Sequence, residues 1–227
     1  MVAVVVLPGM DGTGELLEDF VRSLSGDLEP LVIAYPPAQA LGYPELRALV
    51  RAQLPAGPFV LLAESFSGPI AVEIASGASS GLLGLVLAGT FVKAPIRVPR
   101  MLANVPFWRL PAKLLSWPML GSWATPVWER RFADASAKVS PDAWRSRMRA
   151  VMSVDVTASL ERVSVPTLYI RGRSDRVVPS SAWELISSIR PATRLVELEA
   201  PHFILQTRPE ASAEVVRAFV AEVAQGR

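Results

Sequence analysis

The feature that most constrains this chain is a set of six short apolar runs, rich in β-branched residues and separated by stretches with helical spacing. The runs cover residues 2–7, 31–35, 59–63, 85–88, 167–170 and 194–198. Several are apolar on consecutive residues instead of alternating, the pattern of strands covered on both faces, as in a parallel sheet. Helical patterns occupy 14–24, 44–54, 67–76, 180–189 and 209–224. In the last of these, Val215, Val216, Phe219, Val220 and Val223 recur at helical spacing, with Arg217 and Glu222 on the outer side. Regular strand–helix alternation predicts an α/β fold: about six parallel strands, flanked by helices and joined by right-handed crossovers.

One segment breaks the alternation. Residues 93–165 are proline-rich at first and then helical from about 126 to 160, which is too long for a connection inside a compact fold. They are predicted to form an inserted helical lid on a core made of 1–92 and 166–227. Five of the six tryptophans lie between Trp108 and Trp144, inside this insertion. It is also basic, with 12 lysines and arginines against 5 acids, while the rest of the chain has 11 against 16. These cations are interleaved with Trp, Leu and Pro and form no run, so they predict a solvated helical face and not a nucleic-acid site.

Composition removes further classes. There is no cysteine and only one histidine, His202, so disulfides, thiolate sites and multi-histidine metal sites are not available. No metal or cofactor is predicted. The opening run stops at Pro8-Gly9 and has no basic leader, and no segment is long and apolar enough for a membrane span. The expectation is a cytoplasmic protein.

In open α/β sheets function gathers beyond the carboxyl ends of the strands. The first strand is followed by "PGMDGTG", the third by Glu64-Ser65-Phe66, the fifth by "GRSD" and the last by "EAPHF". Each polar group has a plain reading alone: a serine can cap a helix and an aspartate can hold a turn. Together, Ser65, Asp175 and His202 stand at three strand ends in the chain order of a hydrolase triad. A serine hydroxyl needs a base to take its proton as it attacks, imidazole serves near pH 7, and a carboxylate fixes the imidazole tautomer. Ala63 and Ser67, two positions either side of Ser65, are small enough for a tight turn, and Gly68 leaves room for the helix that follows. The oxyanion formed on attack needs preorganised donors. The backbone N–H groups of Phe66 and, from the glycine loop, Met10 are the candidates. That loop lacks the lysine and the spacing of a phosphate cradle.

These motifs resemble those of the α/β-hydrolase superfamily over nearly the full chain. "AESFSG" is similar to the G-x-S-x-G elbow, "RGRSDRVVP" to the acid loop and "EAPHF" to the histidine loop, while "LPGMDGTG" before "ESFSG" resembles a branch that includes small bacterial and plastid esterases. Both elbow glycines are replaced, by Ala63 and Ser67, and Pro8 stands where many relatives carry His. The first strand corresponds to the family's third. The resemblance therefore implies a minimal fold without the N-terminal antiparallel hairpin, and an edge that a homodimer could cover.

The resemblance also implies a carboxylic ester hydrolase acting on a small or medium apolar acyl ester. Alternatives with the same groups are a thioesterase or acyltransferase, a lyase or C–C hydrolase whose basic lid serves an acidic substrate, and a hydrolase-fold ligand receptor. Trp108, Trp117, Trp123 and Trp128 are expected to wall the substrate pocket, and Trp144 to pack a helix.

Overall fold

The computed structural model describes residues 2–26, 28–77, 80–95 and 112–225. Six strands form one sheet: β1 Ala3–Leu7, β2 Glu29–Val32, β3 Phe59–Glu64, β4 Leu82–Ala88, β5 Thr167–Gly172 and β6 Arg194–Leu198. Their order is β2-β1-β3-β4-β5-β6 and every pair is parallel. The helices are α1 Glu18–Leu24, α2 Tyr43–Arg51, α3 Gly68–Ala75, α4 Ala112–Leu120, α5 Pro126–Ala137, α6 Pro141–Ser153, α7 Thr157–Glu161, α8 Ser180–Ile189, α9 Ile204–Thr207 and α10 Pro209–Gln225.

The consecutive apolar residues of the strands divide between two cores, because successive side chains point to opposite faces. Val5, Leu7, Leu61, Ala63, Leu85, Leu87 and Tyr169 pack with residues of α2, α3, α7 and α8. Val4, Val6, Val60, Leu62, Val86, Leu168 and Ile170 pack on the other side with Phe20 and Leu24 of α1 and with Val216, Phe219 and Val220 of α10. This double coverage is why the runs do not alternate with polar residues.

One strand is displaced from the sequence expectation. The apolar run at 31–35 lies mostly beyond β2, whose ladder ends as the Ile33 N–H donates to the Val6 carbonyl. Ile33 and Tyr35 are buried because they cover the core from the following loop. Glu29 and Ile33 both donate inward to β1, so the nitrogen of Pro30 faces the outer edge. A strand added there would find no donor at that position, which opposes edge pairing.

Between β4 and β5 the chain leaves the sheet and returns through a paired neck. Lys93 and Asp155 form an antiparallel bridge, the Ala94 N–H donates to Val154, and the Val156 N–H donates to Val92. Lys93 Nζ lies 2.9 Å from Asp155 Oδ2. Beyond the neck, Leu160 and Val163 belong to the main core. Helices α5 and α6 are capped alike: Thr125-Pro126 and Ser140-Pro141 each place an accepting hydroxyl before a proline at the first helical position. No helix among the described residues is long and apolar enough to cross a membrane.

Candidate active site

The end of β3 turns sharply at Ser65, whose φ is +48°, the left-handed value of a residue other than glycine. For a serine this is a strained backbone, and such strain persists only where the surroundings hold it. Here they do so at three carbonyls. Thr90 Oγ1 donates to the Ser65 carbonyl, the Tyr43 hydroxyl donates to the Phe66 carbonyl at 3.0 Å, and Ser67 Oγ donates to the Pro8 carbonyl. Tyr35 Oη meets Ser67 Oγ at 2.5 Å, so the residue that replaces an elbow glycine ties the turn to the loops after β1 and β2. Burial pushes both tyrosine hydroxyls above their ordinary range and keeps them neutral. Gly68 is required because a Cβ there would overlap the Thr90 side chain.

The turn presents Ser65 Oγ 2.8 Å from His202 Nε2, and His202 Nδ1 lies 2.8 Å from Asp175 Oδ2. Asp175 keeps its other oxygen on two backbone donors, Val177 N–H at 2.8 Å and Val178 N–H at 2.9 Å. The loops carrying the acid and the histidine are joined directly, since the Ser174 N–H donates to the Ala200 carbonyl at 3.0 Å. The side chains of His202 and Asp175 are each about 2 % exposed. Three residues far apart in sequence are thus held in line by backbone contacts.

Ser65 and His202 open into a cavity of about 230 Å³, which Gly9, Met10 and Phe66 also line. Its walls are apolar, and they differ from the expectation. Trp144 lines the cavity together with Phe91, Phe132 and Phe203, while Trp117, Trp123 and Trp128 do not. Those three indoles carry guanidinium groups instead: Arg176 lies 4.4 Å from the Trp117 ring, Arg208 4.0 Å from Trp123 and Arg131 4.6 Å from Trp128. Such stacking suits a ring at the protein surface. Trp108 lies outside the described residues.

Glu64 was not singled out from the sequence, although a carboxyl at the end of an otherwise apolar buried strand was the available signal. It lines the cavity beside Ser65 and accepts from Gln206 Nε2 at 2.8 Å and from the Gly9 N–H. Burial pushes its pKa up to about 7, against the opposing effect of the Gln206 hydrogen bond. The acidic groups at the cavity are Glu64 and Asp11, and no lysine or arginine lines it among the described residues. Those residues also contain no cluster of three His, Cys, Asp or Glu that could hold a metal ion.

A family model described as "Alpha/beta hydrolase family" matches residues 2–215. The chain belongs to the α/β hydrolase family. Solved structures of the same fold include the enol-lactonase from Burkholderia xenovorans, with a TM-score of 0.82 at 18 % identity over 97 % of this chain and 91 % of that one. An esterase from Exiguobacterium antarcticum gives a TM-score of 0.82 at 20 % identity over 97 % and 92 %. The bromoperoxidase from Bacillus anthracis gives 0.84 at 17 % identity over 97 % and 92 %. At these identities the likeness establishes the fold of this hydrolase and leaves its chemistry to its own residues. No curated protein matches it by sequence.

Proposed function

We propose that this α/β hydrolase is a carboxylic ester hydrolase that works through an acyl-enzyme on esters with small or medium apolar acyl groups. The carrying observation is the line Ser65–His202–Asp175, with 2.8 Å at each step and a strained serine facing an apolar cavity. Ser65 attacks the ester carbon while His202 takes its proton, then returns it to the leaving alcohol. Asp175, fixed by two backbone donors, holds the imidazole in the tautomer that leaves Nε2 free to accept. The Met10 and Phe66 N–H groups stabilise the oxyanion. Water then repeats the sequence on the acyl-enzyme, releasing the acid and Ser65. The insertion predicted at 93–165 acts as the lid, its described ends meeting at the Lys93–Asp155 bridge, with α7 packed on the body.

The composition of the cavity favours neutral substrates. An acidic substrate for lyase chemistry would meet Glu64 and Asp11 and no described cation. A thioester or a lactone would be opened by the same groups, since a lactone is an internal ester. Turnover of p-nitrophenyl esters from acetyl to decanoyl, with acyl-CoA in parallel, tests the reading. Oxygen esters are expected to be hydrolysed with a preference for one range of acyl length. Trp144→Ala is expected to move that preference toward longer chains, within the ~1–3 kcal/mol that one methylene-sized difference allows. Acyl-CoA turnover without ester turnover would point to the thioesterase, and tight ligand binding without turnover to a receptor.

A further inference from the structure

Arg147 lies on α6, in the segment between β4 and β5, and its side chain is wholly enclosed. Enclosing a guanidinium is costly unless its donors are satisfied. Nη1 donates to the carbonyl oxygens of Met10 at 2.9 Å and Asp11 at 2.7 Å, and Nη2 donates to Pro36 at 3.1 Å. The group also lies 5.8 Å from the Tyr35 ring centroid. Burial lowers its pKa, a trend opposed by the nearby Asp11 carboxylate. The loop is shaped around it. Gly12 has φ +70°, and a Cβ there would sit 2.8 Å from Arg147 Nη1 and 2.9 Å from Tyr35.

The contacts fix more than a loop position. In a trans peptide the C=O of one residue and the N–H of the next point in opposite directions. Holding the Asp11 carbonyl therefore sets the Gly12 N–H, which donates back to the Gly9 carbonyl at 3.1 Å. Holding the Gly9 carbonyl sets the direction of the Met10 N–H. Two peptide planes thus connect the guanidinium to the donor assigned to the oxyanion. The same helix supplies Trp144, Met148 and Val151 to the cavity wall, one helical face at spacings of four and three residues.

We infer that Arg147 is a positioning residue for the reaction: it aims the Met10 N–H at the oxyanion and so makes a correctly seated α6 a condition for turnover. The inference rests on the ester-hydrolase reading above. Lysine cannot replace the group, because a single ammonium lacks the planar fork that meets three carbonyls at once.

The test compares Arg147→Lys and Arg147→Gln with the unaltered protein, with active sites counted by endpoint fluorophosphonate labelling. For each, kcat and KM on a p-nitrophenyl ester are measured beside the affinity of a trifluoromethyl ketone and of the matching methyl ketone. The fluorinated ketone is captured as a tetrahedral oxyanion adduct, whereas the methyl ketone reports ground-state binding. Expected is a loss of kcat of about 10- to 100-fold, below the ~10²–10³ for removal of a donor itself, with KM changed by less than about threefold. Trifluoromethyl ketone affinity should fall by the same factor as kcat/KM, and methyl ketone affinity should hold.

Unchanged kcat per labelled site, or a fall in kcat with trifluoromethyl ketone affinity retained, would overturn the inference and leave the ester-hydrolase reading standing. If Arg147→Gln does not fold, Arg147→Lys carries the same comparison. Absence of labelling and turnover in the unaltered protein would instead refute the parent reading, and the inference with it.

Discussion

The strand ends that carry Ser65, Asp175 and His202 and the helices α4–α6 are held by different forces. At the strand ends, buried hydroxyls from distant parts of the chain hold the Ser65 turn, and neighbouring backbone N–H groups hold the Asp175 carboxylate. The outer helices meet the body through a small apolar cluster, Leu120, Phe132 and Ala135 against Leu16 and Phe203, and otherwise through long side chains near solvent. Arg131 pairs with Asp19 and Glu18, and Lys138 with Glu15, all on the segment just after the glycine loop. The charge imbalance seen in the sequence is thereby partly consumed within the molecule. Arg131 and Lys138 of the basic segment lie against Glu15, Glu18 and Asp19 of the body. Buried contacts of the first kind suit atoms that must stay within tenths of an ångström, whereas exposed ion pairs are worth little each and permit movement. Arg147 crosses between the two regimes, an outer-helix cation held in the manner of the strand ends.

The largest expected effect belongs to the strand ends. Asp175→Asn should lower kcat by about 10⁴-fold with the fold intact, because the amide favours the wrong imidazole tautomer. Steady-state kinetics beside circular dichroism would check this. A loss below tenfold would mean that the rigid frame does not orient His202 through Asp175.

Glu64 gives the next effect. Its carboxyl binds a proton more tightly in the folded protein than in the unfolded chain. Between pH 4.5 and about 7 the folded state therefore holds a proton that the unfolded state has released, and stability falls as pH rises through that window. The shift corresponds to about 3 kcal/mol. Glu64→Gln should flatten that slope and stabilise the protein at pH 8, with little difference near pH 4.5, as read by urea unfolding. Parallel profiles for the two proteins would show that Glu64 is not the buried acid responsible.

The smallest effect belongs to the outer helices. Arg131→Ala removes pairs whose side chains are about one-third exposed or more on at least one partner, and should cost under ~1 kcal/mol. Turnover of a short ester should be retained. A loss of kcat comparable with Asp175→Asn would erase the contrast between the two regions.

How much of this was legible in the sequence follows the same division. The four inner strands could be read because burial on both faces leaves its mark on consecutive residues, as at Val4 to Leu7 and Val60 to Leu62, whereas the half-exposed edge strand β2 was read too far along the chain. Ser65, Asp175 and His202 could be read because each is defined by its place at the end of its own strand. The cavity wall was not legible. Whether Trp144 or Trp128 faces the cavity depends on how α5 and α6 sit on a distant part of the chain, and a tryptophan's hydrophobicity does not encode that. Arg147 looked like one more cation on a basic helix, since its partners Met10 and Asp11 lie more than a hundred residues away. Glu64 broke its strand's apolar pattern, a local signal that was overshadowed by the serine beside it.

Covalent labelling is the sharpest test of Ser65 as the nucleophile. A fluorophosphonate probe followed by peptide mass spectrometry should find one adduct per chain, on the peptide containing Ser65, and Ser65→Ala should abolish both labelling and ester turnover. An adduct on a different residue, or undiminished turnover in Ser65→Ala, would contradict the account.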